Sequence, residues 1–369
     1  MKTLAAVCYE RNAPVVVEEI DLDPPKQGEV LLRVKASGVC HSDLSVVSGV
    51  IPHRLPEVLG HEGAGVIEEV GPGVTRFREG DRVMLSFVSS CGTCEYCTRG
   101  RPALCATHFA GGRGFMLDDT TRFHKNGVRI HHMSRLGTMA ERCVVPESSV
   151  VSIDDDIPLD KAALVGCGVT TGVGAVVRTA EIEYGSSVAV IGAGGVGLNV
   201  IQGARLCGAL KIIAVDRAPS KLEAAKSFGA THAVNASDGD AVDAVRALTG
   251  GEGVDYSFEA IGLSATIEQA FHMLRLGGTA VVIGIPRADA MVSLPATLFP
   301  FGERRLIGSF FGSAQSRVDM PRILHLYREG RVMLDELVTR TYRLEEVNQA
   351  FGDLEAGRNL RGVIVFDDR

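Results

Sequence analysis

Short β-branched runs dominate the first third of the chain. Residues 15–20 and 30–35 are short, β-branched runs separated by Pro24, Pro25, Gln27 and Gly28, which predicts two strands joined by a turn. Near residue 185 the texture changes. An apolar run over 188–191 leads into a glycine-rich loop and a helical pattern, and a second strand runs to Asp216. An amphipathic stretch over 241–248, a strand over 254–258, a helix over 264–276 and a strand over 279–285 follow. Such alternation predicts a parallel sheet, and so an α/β domain after a β-rich one. Beyond about residue 311 the chain reads as mostly helical, closing with a strand over 362–366. Between Cys105 and Leu136 periodicity is weak: AGGRG and then MLDDTTRFHKNGVRIHHM predict a long loop followed by short strands. The adjacent His131 and His132 would point to opposite faces of an extended segment. No internal repeat or low-complexity segment is visible.

With 369 residues, 46% of them hydrophobic, and a mean hydropathy of +0.16, the chain can bury large cores and is long enough for two domains. A net charge of −7 without a Lys/Arg cluster argues against a nucleic-acid partner and against an anionic membrane surface. The opening MKTLAAVCYERNAPVVVEE lacks the long apolar core of a signal peptide, and no apolar run reads as long enough to span a bilayer; a cytoplasmic protein is expected. Nine cysteines, four of them within fifteen residues, suit metal ligation in a reducing compartment better than a disulfide framework.

Those four are Cys91, Cys94, Cys97 and Cys105 in CGTCEYCTRGRPALC. Four thiolates suit a closed tetrahedral zinc site, which has no open position and pins a loop with little core of its own. Iron–sulfur ligation and a zinc-ribbon nucleic-acid module are the rivals; Ala106, where cluster motifs typically carry proline, and the acidic chain weigh against them. A second stretch, ASGVCHSDLSVVSGVIPHRLPEVLGHE, packs Cys40, Ser42, Asp43, His61 and Glu62 among glycines. It reads as half of a catalytic zinc site. Alone, one Cys and one His over such a gap more often mean an inert thiol and a satisfied histidine; the rest of the chain shifts that balance. Asp43, three residues after Cys40, either fixes the tautomer of a metal-bound imidazole or serves as an ordinary acid at a helix N-terminus.

The nucleotide signal is fuller. Gly192-Ala193-Gly194-Gly195-Val196-Gly197 has the G-x-G-x-x-G spacing between a strand and a helix. Its first glycines permit the turn and close approach to a pyrophosphate, which then sits over the positive helix end. Asp216, ending the next strand, is placed to bind the adenosine ribose and to repel a 2′-phosphate, favouring NAD over NADP, although Arg217 stands directly behind it. Lys221 either reaches the same ribose or is solvated. At the carboxyl ends of the later strands, Ile261, Gly262, Ile283, Gly284 and Ile285 should line the cofactor crevice.

With CHSD, GHE, the four-cysteine lobe, LVGCGVTTG and GAGGVG in this order, the chain resembles the zinc-dependent medium-chain alcohol dehydrogenases over nearly its whole length. The resemblance implies a β-rich GroES-like catalytic domain from residues 1–168 and 312–369, split by a Rossmann domain over 169–311. It makes Cys167 the third ligand beside Cys40 and His61, with Glu62 a nearby carboxylate that can approach the metal, and so two Zn²⁺ per subunit. It puts Thr171 and Val196 on the nicotinamide, Lys221 and Arg361 on the cofactor, Ser309, Phe310 and Phe311 at the nicotinamide end, and His41 on the pyrophosphate. It also implies a homodimer paired through the nucleotide domains. The segment before Gly137 resembles that of the class I and glutathione-dependent class III enzymes.

The activity so implied is hydride transfer between a primary alcohol, or its aldehyde, and NAD, with zinc acidifying the hydroxyl group and Ser42 accepting its proton. Phe87 and Ile51 would line an apolar substrate pocket. The chain departs from class I at Ser45, where that class ends its proton relay in histidine; a serine cannot buffer a proton near neutral pH. Oxidation of a formaldehyde–thiol adduct is one alternative, weakened because class III carries an acid where Ile51 stands. A nucleotide-binding protein without alcohol chemistry, like the zinc-free quinone reductases, is the other; those lack the three ligands.

Overall fold

A computed structural model describes residues 1–110 and 114–367; residues 111–113 of the glycine-rich stretch lie outside the described residues. The chain divides into two compact units, Met1–Cys167 with Gln315–Arg369, and Gly168–Ala314.

In the first unit, Lys2–Cys8, Val16–Leu22, Phe123–Lys125, Val128–His132 and Glu57–Val58 close a small barrel. Beside it lies a seven-stranded sheet centred on Glu29–Val39, an eleven-residue strand where the apolar pattern predicts six. The extension, Ala36-Ser37-Gly38-Val39, has no clean alternation because both of its faces are buried. Gly63–Val70 and the C-terminal strand Arg361–Val365 flank it, with Ser37 opposite Gly63 and Val39 opposite Gly362. This register brings Glu62 and Arg361 to the end of the strand that delivers Cys40. At Gly38 a Cβ would stand 2.0 Å from Glu62 Oε2, so only glycine lets the carboxylate in. The strand Val338–Tyr342 interrupts the C-terminal stretch expected to be mostly helical; three of its five residues are exposed, so it carries almost no apolar signal.

The second unit is a six-stranded parallel sheet in the order His232–Asn235, Lys211–Asp216, Ser187–Ile191, Val254–Glu259, Leu274–Val282, Arg305–Gly308. This is the doubly wound order that reverses beside the first strand. The expected helix over 264–276 ends at His272 and the following strand begins at Leu274, because Leu274 pairs with Val254 across a register irregularity. That strand stops at Val282 rather than residue 285, since the Ile283 and Gly284 amides both turn to the Glu259 carbonyl oxygen, at 2.8 and 3.0 Å.

The helical run Leu159–Ala180 is long and apolar enough, with a mean hydropathy of 1.4, to cross a membrane by length and composition. Its apolar window is 72% buried in the protein, as in a core helix. Two π-helical stretches, Val165–Val169 and Ala175–Ala180, break its regular turn, and Cys167 sits in the first.

Candidate functional site

Cys40 follows the central strand and precedes the helix His41–Val47, so its sulfur lies at the positive end of that helix. One to three residues on come His41, exposed, Ser42, partly buried with Oγ 3.8 Å from Cys40 Sγ, and Asp43, fully buried. Asp43 contacts both the start of the helix and the His61 imidazole. Its Oδ2 accepts the Cys40 amide at 3.1 Å, as a helix N-terminal acid does, while Oδ1 accepts the Gly60 amide at 3.0 Å and lies 3.4 Å from His61 Nδ1. The imidazole is thereby held with Nδ1 toward the carboxylate, and Nε2 is buried without a hydrogen-bond partner.

Donor atoms of Cys40, His61, Glu62 and Cys167 all lie within 4.8 Å of one another. Arg361, buried, pairs with Glu62 and also reaches the Val39 carbonyl oxygen at 3.3 Å. The electrostatics are those of crowded groups competing for few protons. Hydrogen bonding to Cys167 holds Cys40 well below the usual thiol range against the effect of burial, with His61 assisting, and the same bond pushes Cys167 up. Burial works to lower His61, but Asp43 and Cys40 outweigh it and hold the imidazole well above its ordinary value. Burial lifts Glu62 to about 7, with Arg361 pulling the other way. Two thiols, a carboxylate and a bare imidazole nitrogen fit a divalent, borderline-soft cation, which would replace the shared protons.

The second group is local. Sulfur atoms of Cys91, Cys94, Cys97 and Cys105 also lie within 4.8 Å of one another, with Cys91–Cys97 at 4.0 Å and Cys94–Cys105 at 3.9 Å. A tetrahedron of zinc–sulfur bonds near 2.3 Å has edges of roughly 3.8 Å. Backbone amides already point at the sulfurs: Cys91 N to Cys105 Sγ at 3.2 Å, Cys94 N to Cys91 Sγ at 3.3 Å, and Ala106 N to Cys94 Sγ at 3.4 Å. Hydrogen bonds from the Thr107 side chain and the Thr93 amide hold Cys91 at about 5.

In the nucleotide unit, Gly192 takes φ +94°, and a Cβ on Gly197 would stand 1.7 Å from the Gly192 carbonyl oxygen. Around Gly194 a Cβ would meet nothing within 4 Å, an open approach of the kind a pyrophosphate needs at the N-terminus of Gly195–Leu206. Asp216 accepts the Ala193 amide at 2.8 Å and the Ala218 amide at 3.0 Å, which anchors the acid against the glycine loop. Arg217 is exposed and Lys221 partly so, on the helix Pro219–Phe228. Thr171 is buried near Val196, since a Cβ on the intervening Gly172 would stand 2.5 Å from the Val196 carbonyl oxygen. Ser309 donates its amide to Val282, and its hydroxyl lies 2.8 Å from that of Thr179; Phe310 is partly buried and Phe311 buried.

Of the expected pocket residues, Phe87 sets its ring edge-on to that of His61, 5.9 Å away at 86°, and Ile51 packs on the neighbouring core. His131 and His132 join neither metal group among the described residues. His131 Nδ1 faces the Pro56 carbonyl oxygen, and buried His132 accepts the Arg122 amide. Two features escaped the sequence reading. Arg361 stands as partner of Glu62, which only the strand register reveals. Glu259 is a fully buried acid ending the parallel strand Val254–Glu259; Asp255 and Ser257 also interrupt the apolar pattern there, so the sequence does not single it out.

Residues 26–155 match the model of the alcohol dehydrogenase GroES-like domain, and residues 195–329 that of the zinc-binding dehydrogenases. An NDMA-dependent alcohol dehydrogenase of Amycolatopsis methanolica is 44% identical over 371 residues, covering 99% of this chain and 99% of that protein. Alcohol dehydrogenase class-3 of Cereibacter sphaeroides is 41% identical over 377 residues, covering 99% and 100%. Among solved structures, benzyl alcohol dehydrogenase from Acinetobacter calcoaceticus superposes with a TM-score of 0.94 at 33% identity, covering 100% of both chains. Fold and site thus define a zinc-binding, nicotinamide-linked dehydrogenase with a GroES-like and a Rossmann domain. The chain belongs to the zinc-dependent medium-chain alcohol dehydrogenases: it is an oxidoreductase that takes zinc and NAD(P) and acts on small-molecule alcohols or aldehydes.

Proposed function

We propose that the chain transfers hydride between a primary alcohol and NAD, with catalytic zinc held by Cys40, His61 and Cys167 and a structural zinc by Cys91, Cys94, Cys97 and Cys105. The observation that carries this reading is the cluster of one donor atom each from Cys40, His61, Glu62 and Cys167 within 4.8 Å of one another, beside a buried His61 Nε2 with no hydrogen-bond partner. Zinc there supplies Lewis acidity that lowers the pKa of a substrate hydroxyl. The protein's own groups do the rest. Asp43 keeps the His61 tautomer that leaves Nε2 free, and Arg361 balances the charge of Glu62. Ser42 Oγ relays the proton: it accepts the alcohol's proton as its own hydroxyl proton passes on toward water, and neither it nor Ser45 has a pKa that could store one. Phe87 and Ile51 supply apolar walls that suit an uncharged alcohol.

NAD is favoured over NADP because Asp216 is anchored at the strand end by two amides, and its charge opposes a 2′-phosphate. We assign residues 1–168 with 312–369 as the catalytic domain and 169–311 as the NAD-binding domain. Arg305–Gly308 is an outer strand of its sheet, and an open edge of that kind suits pairing of two copies in a homodimer. Cysteine chemistry of this type suits the cytoplasm. A panel of primary alcohols with NAD or NADP, with and without low-molecular-weight thiols, tests the reading. Thiol-independent oxidation with higher kcat/KM for NAD is expected, and Ser42→Ala should lower it by roughly 10²–10⁴-fold. Turnover only with a thiol and formaldehyde would transfer the assignment to thiol-adduct oxidation, and preference for NADP would give Arg217 control of the ribose.

A further inference from the structure

Glu259 is an acid with 0% exposure at the carboxyl end of Val254–Glu259, the strand adjoining Ser187–Ile191 where the sheet order reverses. Its Oε1 accepts the Ile261 amide at 2.9 Å and the Gly262 amide at 2.7 Å. The Thr266 hydroxyl lies 2.8 Å from the same oxygen and 2.9 Å from the Leu263 carbonyl, with one proton to give to either. Oε2 is buried with no hydrogen-bond partner. A carboxylate taken out of water and satisfied at only one oxygen is costly, and a core position would carry an apolar residue more cheaply.

The position gives it a task. Through its side chain Glu259 folds Ile261 and Gly262 back over the strand end, and through its own carbonyl oxygen it receives the Ile283 and Gly284 amides. These two turns interlock at backbone distance, since a Cβ on Gly284 would stand 2.1 Å from Gly262 N. On the other side the turn abuts the phosphate loop, as a Cβ on Gly192 would stand 2.7 Å from Ile261 Cγ1. One residue therefore sets the spacing of three loops that border the strand ends where a dinucleotide binds.

We propose that Glu259 is a positioning residue for the cofactor, holding the 261–262 turn so that it, the 283–285 turn and the glycine loop together match NAD(H). This rests on the NAD reading above. The chain has no tryptophan, so emission from bound NADH can be titrated without protein interference from indole. Glu259→Ala should raise the Kd for NADH at least tenfold below its melting temperature, with zinc content unchanged. Glu259→Asp keeps the charge but withdraws the carboxylate from the amides, and should weaken NADH severalfold. Glu259→Gln keeps an acceptor at Oε1 and should stay within threefold of the native chain. If Glu259→Ala does not fold, the Asp and Gln pair decides: equal native-like affinity in both overturns the proposal. A lowered Tm in Glu259→Ala with native Kd also overturns it, leaving a structural acid. A native chain that binds no NADH would instead sink the NAD reading.

Discussion

The two metal-binding groups of this chain reach similar compactness by opposite routes. Cys91, Cys94, Cys97 and Cys105 come from one loop, offer identical donors, and have sulfurs already served by backbone amides. Cys40, His61, Glu62 and Cys167 come from a strand end, a turn beside it and an irregular helix, and mix thiol, imidazole and carboxylate. A homogeneous, locally closed set has no vacancy for a substrate and suits stability. A mixed set assembled by tertiary structure keeps one group, Glu62, tied to Arg361 rather than committed to the metal, which leaves room for exchange at a fourth position.

The sharpest way to break this contrast is Cys167→Ser. Turnover should fall by several orders of magnitude, because the Lewis acid is lost or misplaced, while the melting temperature and the other zinc remain. Cys94→Ser should do the reverse in kind. It should release the structural zinc and destabilise the first unit by on the order of several kcal/mol, seen in thermal unfolding with metal analysis.

A smaller effect is expected at the residue that orients the imidazole. Asp43→Asn retains shape but loses the charge that holds Nδ1–H of His61, and should weaken catalytic-site zinc about 10–100-fold in a competition titration with a chromogenic chelator. An unchanged affinity would reduce Asp43 to a helix cap.

The smallest effect is expected at His132, a buried histidine of the first unit. His132 accepts the Arg122 amide through Nε2, and burial drops it to about 3, so it is neutral when folded. The unfolded chain takes up that proton below about pH 6.5 and the folded chain does not until about pH 3, so this group's contribution to stability is lost as pH falls through that window. Between pH 7 and pH 5 the loss is about 2 kcal/mol. Urea midpoints at the two pH values should differ less in His132→Gln than in the native chain.

How far the sequence could be read follows the same division. The four-cysteine lobe and the glycine loop were legible because their chemistry is contiguous, and spacing alone states it. Cys40, Ser42, Asp43, His61 and Glu62 were visible as a cluster, but Cys167 entered only through the family resemblance, since nothing local ties GCG to a strand end 127 residues earlier. Arg361 could be read only as a cofactor residue; its pairing with Glu62 depends on Gly362 lying opposite Val39, a register that no single-chain pattern encodes. Strand ends failed for physical reasons. Residues 36–39 are buried on both faces and do not alternate, and residues 274–276 continue the preceding helix pattern until pairing with Val254 claims Leu274.

If the two groups hold two zinc ions of different function, stepwise chelation with simultaneous assay separates them. The native chain should contain two zinc ions per subunit. A small chelator should first remove the ion with an open coordination position, abolishing activity while circular dichroism is unchanged, and remove the second only as the protein unfolds. A single zinc per subunit, iron with visible absorbance, or full activity after the first ion has left would rule out two zinc ions with divided roles.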